Sequence, residues 1–590
     1  MSLPYFSVVY HTIMLNFIDK VLCHFESCFS RKASFCWFIT ITVGLMLRSD
    51  KLGITSVIRD LALAPGCYPS MIHFFRSSAW SLESIRSRWF SAVKEHSPLY
   101  KEGNFHILVG DGVKQSKEGR RIPGVKKLFQ ESENSAKPEY IHGHMFGGLG
   151  ILAGTVRNWA CIPLSIRLHD GLQAARAWNG AAVSGASHVV QMVEDAYHAA
   201  LTFGDSLLLL DRYFLTVPAL DKLRVLNRDG DVRMEIITKA KKSCTAYEKP
   251  GPRKPGRGRP PKKGAAVHLK ELFLSRREKF QDAEIELYGK KESIRYHCVE
   301  LTFGDSLLLL DRYFLTVPAL DKLRVLNRDG DVRMEIITKA KKSCTAYEKP
   351  GPRKPGRGRP PKKGAAVHLK ELFLSRREKF QDAEIELYGK KESIRYHCVD
   401  LLWGQKLYQE LRFVLVEMDG IQSILASTSL ELEPLSIIRL YSYRFRIECT
   451  FRELKQQTGA FCYHFWSKHM PKLSYYQKAR EAGPLERVKD KKSRQNILKA
   501  VRAIEMHMAQ SCIAMGILQS ISVSSLGKLS SNQLRYQRTP SKGRVSEAAL
   551  MAYLRKYFFL FMEKQPELRI TQIIRKQQDS SGSYWDSLAS

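Results

Sequence analysis

YSYRFRIECTFRELK, from Tyr441 to Lys455, reads as one helix carrying a single chemical stripe. Tyr441, Arg444, Glu448 and Lys455 fall at offsets of three, seven and fourteen residues, which at about 3.6 residues per turn keeps them close to one face. A tyrosine, an arginine, a carboxylate and a lysine so placed could hold a metal ion and grip a phosphodiester together. The alternative is an exposed amphipathic helix whose charges are merely solvated.

Upstream of that helix, RFVLVEMDGIQSILASTS predicts a β-hairpin around Asp419-Gly420. Further back, NFHILVGDGV and SLLLLDRYF are apolar strands that each end in an acid, Asp111 and Asp211. Between them YIHGHMFGGLGILAG and ACIPLSIRLHDG read as two more strands and ASHVVQMVEDAYHAAL as a helix. A helix (VPALDKLRVLN) and a strand (RMEIITKAK) come next, so the pattern implies a mixed α/β sheet. His142 and His144 share a strand face and read as satisfied core or surface histidines rather than metal ligands. In FCYHFWSKHMPKL, Phe461 to Leu473, the aromatic residues either pack in the core or stack on bases.

Both ends of the chain look helical. Near the start, ITSVIRDLAL, APGCYPS and MIHFFRSS read as helix, turn and helix with Ser70 as N-cap. Met71 to Arg76 would then enter a major groove, unless the pair is an ordinary element of a helical domain. NILKAVRAIEMHMAQSCIAMGILQ and SEAALMAYLRKYFFLFME are apolar-periodic helices expected to pack on the core.

Acids at strand ends, joined by a third on a nearby helix, form an oxygen-rich pocket suited to Mg²⁺ or Mn²⁺. Either aspartate alone could equally be a strand-end turn or a helix cap. Taken together, Y-x2-R-x3-E-x6-K with its flanking RIE and FRELK resembles the signature of DDE transposases of bacterial insertion sequences. The order of acids, on the first strand, the fourth strand and a late helix, is similar to that of RNase H-like nucleases. The resemblance runs from about Asn104 to Lys455.

It implies an RNase H-like mixed sheet flanked by helices, with Asp111, Asp211 and Glu448 holding Mg²⁺ or Mn²⁺, about two ions per site. It also implies that Arg444 and Lys455 contact phosphates near a cleaved DNA end, with Tyr441 beside the terminal nucleotide. The implied reaction cuts the ends of a mobile element by hydrolysis and joins the freed 3′ ends to target DNA by transesterification, without a protein nucleophile. A homodimer on DNA and a cytoplasmic, nucleoid-associated location in bacteria are implied as well. One departure is DGV at Asp111 to Val113, where many relatives carry threonine or serine after the glycine.

Residues Leu201 to Val299 recur without change as Leu301 to Val399, and the closing residue differs, Glu300 against Asp400. Structural repeats drift and have shorter periods, so one in-frame duplication of coding DNA accounts for this. Asp311 is therefore a copy of Asp211. Looping the extra length out at a flexible break keeps Asp211 beside its crossover helix and keeps the second copy joined to the Glu448 helix. That arrangement favours Asp211 as the second acid.

Each copy contains KPGPRKPGRGRPPKKG, Lys249 to Gly264 and Lys349 to Gly364, whose prolines and glycines exclude helix and sheet. Arg257 and Arg259, with Arg357 and Arg359, resemble an AT-hook that lays arginines in a narrow minor groove. A basic loop that binds phosphates without preference is the other reading. The net charge of +35 calls for a polyanionic partner, and it stays at +27 when one copy, with its excess of 8 basic residues, is taken away.

The longest apolar run, Cys36 to Leu47, is far short of the roughly 20 residues that span a bilayer. The 12 cysteines form no C-x2-C pair and read as free thiols in a reducing compartment. The expected organisation is a helical DNA-binding region over 1–100 and the first part of the catalytic domain over 101–240. An insertion with basic linkers and the tandem copy fills 241–400, catalytic-domain completion 401–480 and C-terminal helices 481–590. Two rival readings are a transposase relic that binds DNA without cutting it, and an architectural protein built on the paired basic linkers.

Overall fold

The computed structural model describes residues 3–51, 53–130, 138–155, 158–178, 188–210, 372–387, 390–403, 409–418, 420–427, 432–474, 483–524 and 545–579, with short segments between 226 and 368. Five helices open the chain: α1 (Leu3–Cys23), α2 (Lys32–Leu47), α3 (Thr55–Asp60), α4 (Cys67–Arg76) and α5 (Leu82–His96). Strands β1 (Phe105–Ser116), β2 (Lys126–Phe129), β3 (Tyr140–Thr155) and β4 (Asn158–Leu168) precede α6 (His188–Phe203). After it come β5 (Ser206–Leu210), β6 (Met234–Thr238) and β7 (Ile337–Lys341). An antiparallel run follows: β8 (Gln381–Leu387), β9 (Lys390–Trp403), β10 (Gln409–Met418) and β11 (Ile421–Ser427). The remaining helices are α7 (Pro434–Tyr443), α8 (Phe445–Gln456), α9 (Lys491–Val523), α10 (Glu547–Lys564) and α11 (Arg569–Asp579). The architecture is mixed α/β, as the sequence pattern predicts. The chain divides into two compact units, one of residues 1–100, 112–185 and 447–590 and one of 101–111 and 186–446.

The first unit is built around α9. Its buried residues, from Ile497 to Ser522, face every direction, which is the mark of a helix enclosed by protein. It packs on β4 and is flanked by α2, α4, α5 and α10. Gly516 lets α5 come close: a Cβ there would lie 2.3 Å from Trp89 Cζ2. The indole lies in that gap and its Nε1 donates to Pro163 O on β4 at 2.9 Å. β3 and β4 are antiparallel along most of their length, and β2 pairs with β3 from Lys126↔Gly143 to Phe129↔Tyr140. Arg48, buried at the end of α2, donates to Thr458 O at 2.8 Å and Gly53 O at 2.9 Å, tying α2 to the residues after α8.

The helix pair near the start exists, but its boundary differs from the expectation. α4 begins at Cys67 with Gly66 as N-cap, so Ser70 lies inside the helix and caps nothing. Met71, Phe74 and Phe75 are buried in the core, leaving Tyr68, Ser70, His73 and Arg76 outward. The buried side anchors the helix in the core and leaves the other side outward.

In the second unit β1 runs parallel to β5 in register from His106↔Ser206 to Gly110↔Leu210, and β5 runs parallel to β6. Ile107, Leu108, Val109 and the whole of β5 are buried, as expected for strands covered on both faces. α6 packs over them through Met192: a Cβ at Gly110 would lie 2.8 Å from its sulfur and 2.4 Å from Leu210 Cδ2. The strands before α7 are antiparallel to one another, β8 with β9, β9 with β10 and β10 with β11. β10 and β11 form the expected hairpin, with Met418 opposite Ile421 and Gly420 at φ +70°.

The two copies of the repeat are used differently. β5, from the first copy, pairs with β1, whereas its duplicate Ser306–Leu307 pairs with Met334–Glu335 in a small sheet of its own. At the other end the order reverses. β8 and β9, from the second copy, join β10, while their duplicates Gln281–Leu287 and Lys290–Tyr296 pair in a two-stranded sheet beside β8. β7, also from the second copy, pairs with β11, and β6 from the first copy meets β11 at Thr238↔Ala426. Apart from Leu226 and Lys349, the predicted helix VPALDKLRVLN and both basic linkers, with Arg257, Arg259, Arg357 and Arg359, lie outside the described residues.

Candidate active site

Asp111 sits in the middle of β1, not at a strand end as expected. The strand continues through Gly112 to Ser116, and Lys117 N–H donates to His142 O at 2.9 Å, so hydrogen bonding carries the extended backbone past the acid. Asp111 is the first residue after the buried run Ile107 to Gly110 and is half-buried itself. Arg444 Nη1 donates to Asp111 Oδ2 at 3.1 Å, and both side chains are less than one-fifth exposed. Two residues 333 positions apart thus meet as an ion pair. Nearby in sequence, Arg439 of α7 pairs with Glu102, a contact no sequence motif announced.

Arg444 occupies a seam. The stretch predicted as one helix is two: α7 ends at Tyr443 and α8 begins at Phe445. Arg444 keeps helical dihedrals, φ −51° and ψ −37°, and its N–H bonds to Tyr441 O at 3.2 Å, three residues back. That tighter bond interrupts the regular ladder at the arginine. Tyr441 is half-buried on α7.

In the first unit, α8 carries Glu448 and Lys455, both half-buried. Its apolar side is Ile447, Thr450, Phe451 and Leu454, all buried. Glycines in β3 admit that side: a Cβ at Gly148 would lie 2.3 Å from Phe451 Cε1, and one at Gly150 3.2 Å from Ile447 Cδ1. Thr450 Oγ1 donates to Cys161 O at 2.8 Å on β4, fixing the rotation of the helix. Lys455 Nζ stands 5.4 Å from the ring centre of Phe461. Asp211 and Asp311 lie outside the described residues.

The segment after α8 is anchored from within the same unit. Lys117 donates to Phe461 O at 2.6 Å and Tyr463 O at 3.1 Å, and burial pulls its ammonium down to about 8. His144 bonds to the Tyr463 hydroxyl at 2.5 Å and to Pro123 O at 2.8 Å, and burial pushes it down to about 3. His144 is thus a satisfied core histidine. Phe461 and Tyr463 are core residues too, whereas Trp466 is 56% exposed.

Carboxylate oxygens are hard donors of the kind Mg²⁺ and Mn²⁺ take, and Asp111 already faces a cation, the Arg444 guanidinium. Residues 24–286 match the family model of a DDE superfamily endonuclease. Residues 181–468 match that of a transposase DDE domain, a range that contains both copies of the repeat. These matches support a DDE transposase family. No curated protein and no solved structure matches the chain. DDE transposase domains suggest a transposase or endonuclease function, DNA as partner and a general use of divalent metal ions. Among the described residues no helix is long and apolar enough to cross a membrane.

Proposed function

We propose that the chain is a transposase with an RNase H-like catalytic domain, which cleaves the ends of its mobile element and joins the 3′ ends to target DNA. The observation that carries this reading is the Asp111–Arg444 ion pair, because it unites the first acid with the Y-x2-R-x3-E-x6-K stripe. The strand register supports it as well. Gly110 pairs with Leu210, and each is followed in the chain by one of the two proposed aspartates, Asp111 and Asp211.

In this reading Asp111, Asp211 and Glu448 hold the divalent ions. When bound, these would activate water and stabilise the departing oxygen. Arg444 holds Asp111 in place before DNA arrives and turns to a phosphate afterwards, its planar fork suiting either anion. Lys455 serves a second phosphate, and Tyr441 lies beside the terminal nucleotide. The basic linkers add sequence-independent affinity for DNA, and the first hundred residues contribute further contacts. A homodimer would bring paired element ends together. The use of β5 rather than its duplicate beside β1 favours Asp211 over Asp311.

The test is nicking of a supercoiled plasmid carrying the gene with its flanking DNA. Wild type should nick it in Mg²⁺ or Mn²⁺ and not in EDTA. Asp111→Ala, Asp211→Ala and Glu448→Ala should each lose at least about 100-fold in rate while still retaining the plasmid in a mobility shift. Asp311→Ala should cut like wild type. DNA binding by the wild type without metal-dependent nicking would instead identify a relic.

A further inference from the structure

We infer a metal-binding site, separate from the proposed catalytic acids, formed by His24, Glu95 and His96 in the first unit. His24 follows the end of α1, while Glu95 and His96 close α5. Their donor atoms converge: His24 Nε2 lies 3.2 Å from His96 Nε2, His96 Nε2 3.4 Å from Glu95 Oε1, and His24 Nε2 3.8 Å from Glu95 Oε2. Three atoms bound to one tetrahedral zinc, at bond lengths near 2.0–2.2 Å, stand about 3.3–3.5 Å apart. The two carboxylate oxygens each face one ring, and with one ligand atom per residue all three lie within 4.8 Å of one another, so a turn of the Glu95 carboxylate brings one oxygen to that spacing. An N–H···N hydrogen bond between neutral rings explains the shortest edge, but not the arrival of a carboxylate at both rings.

The donor set points to the metal. Two imidazoles and one carboxylate favour Zn²⁺, or Co²⁺ and Ni²⁺ in its place, over Mg²⁺, which seeks oxygen and retains its waters. Three protein ligands leave a fourth position for water. Lys20 Nζ, 3.8 Å from Glu95 Oε1, is the competing cation; it is well exposed and free to swing aside. The rings meet edge to face, with centroids 5.1 Å apart and planes at 75°, and Phe17 also meets His96 edge to face, with centroids 6.2 Å apart. Metal binding would clamp the end of the first helix to α5.

The experiment uses the full chain, stripped with chelator and titrated with Zn²⁺ by calorimetry. Other histidines and cysteines will also take zinc, so the decisive quantity is the difference between proteins. Wild type should bind one equivalent more than the His24→Gln/His96→Gln double variant. Glu95→Gln, an exposed and conservative change, should weaken that equivalent at least about 10-fold. Zn²⁺ should also raise the melting temperature of wild type but not of the double variant. Equal stoichiometry in the two proteins, or equal stabilisation by zinc, overturns the site. Apo melting curves show whether either variant has failed to fold, and Glu95→Gln then decides alone. The outcome is independent of nicking.

Discussion

The residue that distinguishes the two copies of the repeat is structural in the second. Asp400 is fully buried in β9, directly opposite Arg412 in β10, and the guanidinium reaches both its oxygens, at 3.3 and 3.5 Å. Arg412 also donates to Leu432 O at 2.9 Å, so the pair is hydrogen-bonded and enclosed. Removing one partner of such a pair strands a buried charge, and Asp400→Ala should cost about 3–5 kcal/mol in urea unfolding. A glutamate adds a methylene to a fully buried pair, so Asp400→Glu should fall between wild type and alanine. His144 gives a pH-dependent counterpart. Its folded pKa, near 3, lies below its unfolded value, so the unfolded chain takes up a proton as pH falls through about 6.5 and the folded chain does not. Stability from the neutral ring is complete above that pH and is lost toward pH 3. His144→Phe should cost about 1–3 kcal/mol at pH 7, because the Tyr463 hydroxyl and Pro123 O lose their partner. The gap between the two proteins should shrink from pH 6.5 to 4 in denaturant melts.

At the level of elements, glycines decide where α8 lies. Gly148 and Gly150 interrupt a run of apolar residues in β3, and their missing side chains accept Phe451 and Ile447. Gly148→Val should push Phe451 outward, cost about 2–4 kcal/mol by overpacking, and reduce nicking more than DNA binding because Glu448 rides on the displaced helix. The purified variant's melting temperature and nicking rate check both parts. Periodicity made β3 legible as a strand and α8 as a helix, but it carries no signal for which strand glycine faces which helix residue. The same limit explains the helix read as continuous through Arg444. The seam depends on the local hydrogen-bond pattern at Arg444 and on its pairing with Asp111, neither of which spacing records. The extent of β1 past Asp111 was missed because Gly112 to Ser116 lacks an apolar run and is held extended by its neighbours. Hairpin chemistry at Gly420 needed no tertiary information and was read directly.

For the whole molecule, the question is how a chain folds with one hundred residues too many. The sheet takes β5 and β6 from the first copy and β8 and β9 from the second, and the stretch between them, about residues 241–340, adds short strands, β7 among them, to the same sheet. Lengthening a connection already some tens of residues long by one hundred costs only about 1 kcal/mol of closure entropy, since the cost grows as the logarithm of length. That is small beside the roughly 5–15 kcal/mol that stabilises ordinary domains. Tolerance of the duplication is therefore expected, and it explains why both ends of the repeat can find their partners. Deleting residues 241–340 leaves a 490-residue chain whose single copy joins the two used halves and retains Asp211 and Asp400. This variant should fold with β1, β5 and β9 paired as before, melt at or slightly above the temperature of the full chain, and nick plasmid at least as fast in Mg²⁺. It should also bind DNA more weakly and with a shallower salt dependence, because the deletion leaves one basic linker instead of two. A shorter chain that melts far lower would mean that β7, paired with β11, has become part of the core. A shorter chain that nicks when the full one does not would place the defect in the duplication itself, with the catalytic residues intact.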